Sequence, residues 1–303
     1  MAQRRPFPLV PRHALTGMPF GRLPSHRRGP GSEVIGSRAY RPGDPVSTID
    51  WGATARLSAA TGRDEFIVRE RRADDAPRVA LVLDRRPAMT LYPPSSPWLS
   101  KPTVVREAVT GVIASALAAR AEIGALDFAN GEPHWVRPSH VVGREVVQDR
   151  LDDPAPAPED TLARSFRFLA LHRRDLPSGS FVFVFSDFLS LADPHGWNEA
   201  TTHGWDVVPV VVQDPTWEQS FPAVGGVAVP FTDPATGKTS LTRLSRREAD
   251  ARRAANADRA ARLTESLSAV GLRPVVLTSS DPFEIDRAFL VWAEERRRGR
   301  RSR

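Results

Sequence analysis

The amino-acid sequence predicts an α/β protein: a mostly parallel, doubly wound sheet with helices on both faces, preceded by an irregular N-terminal segment and carrying an inserted hairpin. Three observations lead there. Arg78-Val-Ala-Leu-Val-Leu-Asp84 and Ser180-Phe-Val-Phe-Val-Phe-Ser-Asp187 are short continuous apolar runs that end in an acid, the pattern of strands buried on both faces. Segments with helical periodicity stand between such runs, and strands alternating with helices build a parallel sheet covered on both sides. No apolar run approaches the ~18 residues of a membrane helix, so the runs are strand-sized.

Residues 1–30 are rich in proline and arginine without periodicity and read as an extended arm. Residues 31–76 hold short motifs rather than long elements, and with the arm they form a first region, 1–76. An α/β domain over 77–299 follows, with a hairpin insertion at about 222–243 and a basic tail at 300–303. Within the domain, residues 78–84 form the first strand. Pro102 opens a helix that puts Val105, Val109, Val112, Ile113, Ala116 and Leu117 on one face. Residues 123–129 read as the second strand, with an edge strand around Val136 and a short helix over 145–151. Asp160 is placed to cap a helix whose apolar face is Leu162, Phe166, Leu169 and Ala170. Residues 180–187 and 206–214 are the next strands, although Pro209 sits awkwardly inside the second. A hairpin over 225–241 turns at Asp233-Pro-Ala-Thr-Gly237. Ser245-Arg-Arg-Glu248 has capping-box spacing and starts a long helix that Gly271 stops. A last strand over 274–278 and a helix over 284–297, with Ile285, Phe289, Leu290 and Trp292 as apolar contacts, close the chain.

On such sheets ligands bind beyond the carboxyl ends of strands, where strand order reverses. Asp84 and Asp187, each ending an apolar strand, are therefore the first candidates for a site.

Composition excludes several functions. The 303 residues contain no cysteine, which removes disulfides, thiolate catalysis and cysteine-ligated zinc. The seven histidines are scattered and no H-E-x-x-H occurs. No nucleophile elbow is present. Gly237-Lys238-Thr239 lies in a hairpin turn with Thr232 where a phosphate loop needs glycine, and Gly29-Pro-Gly31 follows no strand, so neither is a nucleotide motif. No cofactor is expected. The amino terminus lacks the ~7–15-residue apolar stretch of a signal sequence, so a cytoplasmic protein is expected. The net charge of +6 and the basic tail point toward nucleic acid as an alternative partner. Against it, only Lys101 and Lys238 are lysine among 42 basic residues, and arginine, alanine and proline abound together, as GC-rich coding also produces. Asp44, Asp50, Asp64, Glu65 and Glu70 could gather as a two-metal nuclease site, but arginines interleave with them and nothing in their spacing demands it; a metal-dependent hydrolase using Asp84 and Asp187 is the second alternative.

The densest motif is Gly36-Ser-Arg-Ala-Tyr-Arg-Pro-Gly-Asp-Pro-Val-Ser-Thr-Ile-Asp-Trp-Gly-Ala-Thr-Ala-Arg56. Pro42-Gly43 presets a tight turn and Asp44 can bond local amides. Arg38, Asp44, Asp50 and Arg56 bring balanced charge to a segment with too few apolar residues for a helix or buried strand, and Trp51 supplies one large anchor. The segment reads either as a self-neutralising turn or as an exposed recognition motif. Arg38, Tyr40, Pro42, Gly43, Asp44, Asp50, Trp51 and Arg56 are its candidate partner-binding residues.

These residues, with Gly31-Ser-Glu33 upstream, Asp214-Pro-Thr-Trp-Glu218 and Phe289-Leu-Val-Trp-Ala-Glu downstream, resemble the signature of the DUF-fifty-eight family over about residues 17–298. The resemblance implies a von Willebrand factor type A-like fold, an adaptor role beside a MoxR-type AAA+ ATPase and a client protein, and no known catalytic activity. It also implies where a metal-ion-dependent adhesion site would lie: an Asp-x-Ser-x-Ser after the first strand, a threonine from a later loop and an aspartate ending a later strand. Here Asp84 is present, but Arg86 and Ala88 stand at the serine positions; Thr161 and Asp187 match the rest. Two oxygen ligands are lost and a cation is introduced beside the remainder, which disfavours a hard divalent ion. The expectation is a degenerate site in which Arg86 replaces the metal by pairing with Asp84 or Asp187.

Overall fold

The structure, a computed structural model, describes residues 6–11, 34–40, 49–62, 66–71, 77–92, 98–140, 144–152, 155–189, 197, 200–233 and 236–301. Its contacts divide the chain into two units, Leu15–Pro77 on one side and Met1–Ala14 with Arg78–Arg303 on the other.

In the smaller unit, β1 (Val34–Ala39) and β2 (Ile67–Arg71) pair antiparallel, and helix α1 (Trp51–Thr61) lies between them in sequence. This corrects the expectation that the signature segment is too poor in apolar residues for a helix. Local hydrogen bonds supply what the apolar pattern lacks. Asp50 Oδ1 accepts the Ala53 N–H at 3.0 Å as N-cap, Gly62 closes the other end in the left-handed region, and the buried Thr54 hydroxyl accepts the Ile67 N–H at 3.0 Å.

The larger unit runs β3 (Arg78–Leu83), α2 (Lys101–Ala118), β4 (Glu122–Asp127), β5 (His134–Ser139), α3 (Arg144–Asp152), α4 (Thr161–Leu171), β6 (Phe181–Ser186), β7 (Asp206–Val212), β8 (Val227–Thr232), β9 (Thr239–Leu244), α5 (Arg246–Ala269), β10 (Val275–Leu277) and α6 (Pro282–Arg301). Six strands form one sheet in the order β10-β7-β6-β3-β4-β5, parallel except for β5. Alternation along the strands supplies two cores. Ala80, Val82, Val182, Val184, Val207 and Val211 face Leu162, Phe166 and Leu169 of α4 and Leu263 and Leu267 of α5. On the other face Phe183 meets Phe289 and Trp292 of α6. Phe7 stacks on Phe289 at 4.6 Å and donates its N–H to Ser115 Oγ at 2.9 Å, so residues 6–11, inside the predicted arm, lie on this face of the larger unit. Of the predicted apolar contacts, Leu117 and Leu290 are exposed instead.

Pro209 sits inside β7 without breaking it. Asp206 donates its N–H to Ser180 and Gln213 donates to Leu277, so in this alternating parallel ladder the even residues bond toward β6 and the odd residues toward β10. The missing Pro209 donor would point past the start of β10, whose ladder begins opposite Val210. Gly124 allows β5 to approach β4: a Cβ there would lie 2.5 Å from the Val136 carbonyl oxygen. The predicted capping box forms, with Glu248 N–H bonded to Ser245 Oγ and Ser245 N–H to the Glu248 carboxylate. Asp160 differs from expectation: its carboxylate pairs with Arg164 instead of capping α4. β8 and β9 form a separate two-stranded ribbon, with Phe231 under the Arg252 guanidinium of α5.

The chain runs from β3 to β4 and β5 on one side, then returns to lay β6 on the other side of β3. Strand order therefore reverses between β3 and β6, and their carboxyl ends carry Asp84 and Ser186-Asp187.

Candidate functional site

The crevice at this reversal is filled by a buried ionic network. Asp84 follows β3, and its Oδ1 accepts the backbone N–H of Arg86 at 2.9 Å, a local turn that folds the arginine side chain back over the acid. The guanidinium then bridges two strands. Nε and Nη2 reach Asp84 Oδ2 at 2.9 and 2.6 Å, and Nη2 reaches Asp187 Oδ1 at 2.8 Å. Ser186 Oγ donates to Asp84 Oδ2 at 2.6 Å and accepts from the Phe188 N–H at 3.0 Å. At the entrance, Glu159 lies 3.5 Å from Arg86 Nη1.

A second cation completes the cluster. Lys101, fully buried in the first turn of α2, donates through Nζ to Asp187 Oδ2 at 2.8 Å, Glu218 Oε1 at 2.6 Å and the Ala88 carbonyl at 3.2 Å. Glu218 Oε2 accepts the Asp214 N–H at 2.8 Å, and Asp214 in turn accepts the Trp98 indole N–H at 2.9 Å. The chain of contacts thus runs from Asp84 through Arg86, Asp187 and Lys101 to Glu218, three acids around two cations.

Titration behaviour follows from this arrangement. Burial would raise the Asp187 carboxyl, but Lys101 and Arg86 outweigh it and hold it below the ordinary carboxylate range. At Glu218 burial dominates, and the carboxyl is raised despite Lys101. Burial pulls the Arg86 guanidinium down, yet the hydrogen bond and charge of Asp84 and the charge of Asp187 leave it raised. The Tyr92 phenol is raised by burial first, then by Glu218, Asp214 and Asp187.

The residues present do not fit a hard divalent cation. Such an ion needs open carboxylate and hydroxyl oxygens; here Asp84 and Asp187 already face a guanidinium and Asp187 an ammonium. Ala88 offers its carbonyl to Lys101, not a hydroxyl. Thr161 is fully buried at the start of α4, but its hydroxyl has no hydrogen-bond partner and takes no part in the network. Among the described residues no group of three or more His, Asp or Glu is placed to hold a metal.

The signature residues fall in the smaller unit. Phe66 packs edge-on against both Tyr40 and Trp51, at 6.4 and 6.0 Å, and Trp51 remains 60% exposed. Asp50 is the α1 cap, and Arg56 is exposed on α1. Arg38 stands opposite Val68 in the β1–β2 ladder, whereas Pro42, Gly43 and Asp44 lie outside the described residues.

Sequence reasoning missed Lys101 and Ser186 as site residues, and it placed Asp214 and Glu218 only in the family signature, not in the crevice. One signal was available: Lys101 is one of two lysines in an arginine-rich chain and opens a helix, where the dipole disfavours a cation. A cation tolerated there needs acids nearby.

A family model described as protein of unknown function DUF58 matches residues 36–265. No curated protein matches the chain. Among solved structures, the chain is similar to that of an aerotolerance-related membrane protein from Bacteroides fragilis NCTC 9343 carrying multiple mutations to serines, with 13% identity and a TM-score of 0.41 over 73% of this chain and 100% of the other.

Proposed function

The chain belongs to the DUF58 family, and from that premise we propose that it is a non-enzymatic protein-interaction adaptor whose strand-reversal crevice is a degenerate metal-ion-dependent adhesion site on a von Willebrand type A-like scaffold. One observation carries this reading: the Arg86 guanidinium lies between Asp84 and Asp187, where a metal would have to sit, and Lys101 takes the remaining Asp187 oxygen. A crevice closed by its own ion pairs offers no open coordination position for substrate chemistry. The exposed Trp51, packed edge-on against Phe66, which also meets Tyr40, supports an interaction role for the signature unit, because exposed tryptophan and tyrosine are the residues from which binding hot spots are most often built. The partner in this reading is a MoxR-type AAA+ ATPase acting with a client protein, as the family resemblance suggests.

Affinity purification of the tagged chain from its native lysate, with and without ATP, tests the partner. Near-stoichiometric recovery of an AAA+ ATPase that Trp51→Ala abolishes is expected. Its absence in both nucleotide states, with nucleic acid recovered in a salt-sensitive way, favours the basic-surface alternative instead. Calorimetric titration with Mg²⁺ or Mn²⁺ tests the crevice: no stoichiometric micromolar binding is expected, and binding that Asp187→Asn removes would overturn the degenerate-site reading.

A further inference from the structure

The far edge of the sheet has a free backbone pair beside a groove. Leu277 is in register with Val212 and its carbonyl accepts the Gln213 N–H at 3.2 Å. In a parallel ladder alternate residues of a strand bond to the same neighbour, so Val275 and Leu277 are tied to β7 and Val276 turns its N–H and C=O outward. Val276 is also 44% exposed, whereas Val275 and Leu277 are buried. Beside this edge runs a groove of about 310 Å³, floored by β10 and walled by α6 through Glu284, Ala288, Val291, Trp292 and Glu295.

Three features of the groove specify its occupant. The outward N–H and C=O of Val276 are matched by an extended backbone, which offers one acceptor and one donor at strand spacing. Val291 is 47% exposed along the wall, so an apolar side chain on the α6 side of that strand has a seat. Glu284 and Glu295 lie in the first and later turns of α6 on the same wall and are exposed, each with a long ion pair, Glu284 to Arg287, which also lines the groove, at 3.6 Å and Glu295 to Arg273 at 3.7 Å. They can exchange those weak surface pairs for a partner's cations.

We infer that the β10 edge and the α6 wall form a docking groove for an extended segment of a partner protein, one with β-branched residues in alternation and a basic residue at each end. The segment adds as a seventh strand, hydrogen-bonded to Val276, with one side chain against Val291 and its end charges toward Glu284 and Glu295. This surface belongs to the larger unit and does not depend on the Trp51 cluster or on the state of the crevice.

The probe is a fluorescein-labelled heptapeptide, Lys-Val-Thr-Val-Thr-Val-Lys, titrated into the full chain by anisotropy, with amide exchange of Val276 followed by NMR. Saturable binding and slowed exchange at Val276 are expected. Val276→Pro removes the outward donor without touching a bond to β7, a substitution that edge strands accept, and should weaken binding about tenfold, the equivalent of one hydrogen bond. Val291→Lys, on an exposed helix position, should weaken it comparably by filling the seat and repelling the peptide ends, and it covers the case in which the proline variant misfolds. Absence of saturable binding to the parent chain, protection elsewhere than Val276, or full binding by a folded variant of either kind would overturn the inference.

Discussion

Arg86 and Lys101 each hold more than one acid, and that makes their removal asymmetric. Arg86→Ala leaves Asp84 and Asp187 buried without their shared cation; the expected loss of unfolding free energy is about 3–5 kcal/mol, read by urea denaturation. A smaller loss is expected for Arg86→Lys, which keeps a cation but cannot bridge both acids as a planar fork does. The pH dependence has two opposite arms. Asp187 is depressed in the fold, so its contribution is present above its ordinary carboxylate value and is lost as pH falls through the depressed one. Glu218 is raised, so the stability linked to it is complete below its ordinary value and is lost as pH rises through the raised one. Glu218→Gln should therefore abolish the decline on the alkaline side of the ordinary carboxylate range while leaving the acid-side decline attributable to Asp187. A decline that persists unchanged in the variant would assign it to another group. Both arms are measured by denaturant titration across a pH series.

At the scale of single elements, α1 and β4 show how local contacts override composition. α1 depends on its ends: Asp50→Ala removes the Ala53 bond and should cost about 1 kcal/mol, while Asp50→Asn keeps an acceptor and should cost little. The pair separates capping from recognition, since a fall in partner binding with the stable asparagine variant would place the Asp50 charge in the interface. β4 depends on an absent side chain. Gly124→Ala drives a Cβ toward the Val136 carbonyl and Pro138, both backbone-bound in β5, so a loss of about 1–3 kcal/mol is expected, accompanied by loosening of β5 seen in amide exchange. Pro209→Val, by contrast, should be nearly neutral, because the restored N–H would point beyond the β10 ladder.

For the molecule as a whole, the net charge of +6 misleads about the carboxyl end of the chain. Arg296, first of the basic run, has a largely covered side chain and spends its guanidinium on Asp206 at 2.7 Å, the Val10 carbonyl and the Trp292 ring. The closing helix uses this arginine to tie β7 and residues 6–11 together. Arg296→Ala is therefore expected to lower the melting temperature, with little change in any salt-dependent DNA retention.

Much of the scaffold was legible in the sequence. β3, β6 and β7 are continuous apolar runs because a strand covered on both faces has no polar side to show, and Ser245 to Glu248 writes its cap in four residues. Asp84 and Asp187 stood out because each interrupts such a run at the carboxyl end of a strand. Even the helix α1 left a trace, since Asp50 stands at an N-cap position, although the motif around it reads as a turn. The sequence by itself thus determined the layers, most of the elements and two acids of the site. Only the tertiary structure decided which residues meet those acids. Lys101 is 86 residues from Asp187 and 117 from Glu218, and their contact exists because β6 returns to the side of β3 opposite β4, bringing the start of α2 and the 213–221 loop over one crevice. Hydrophobic periodicity is set by a residue's immediate neighbours along the chain, whereas the pairing of buried charges is set by strand order, and strand order leaves no mark on any single segment.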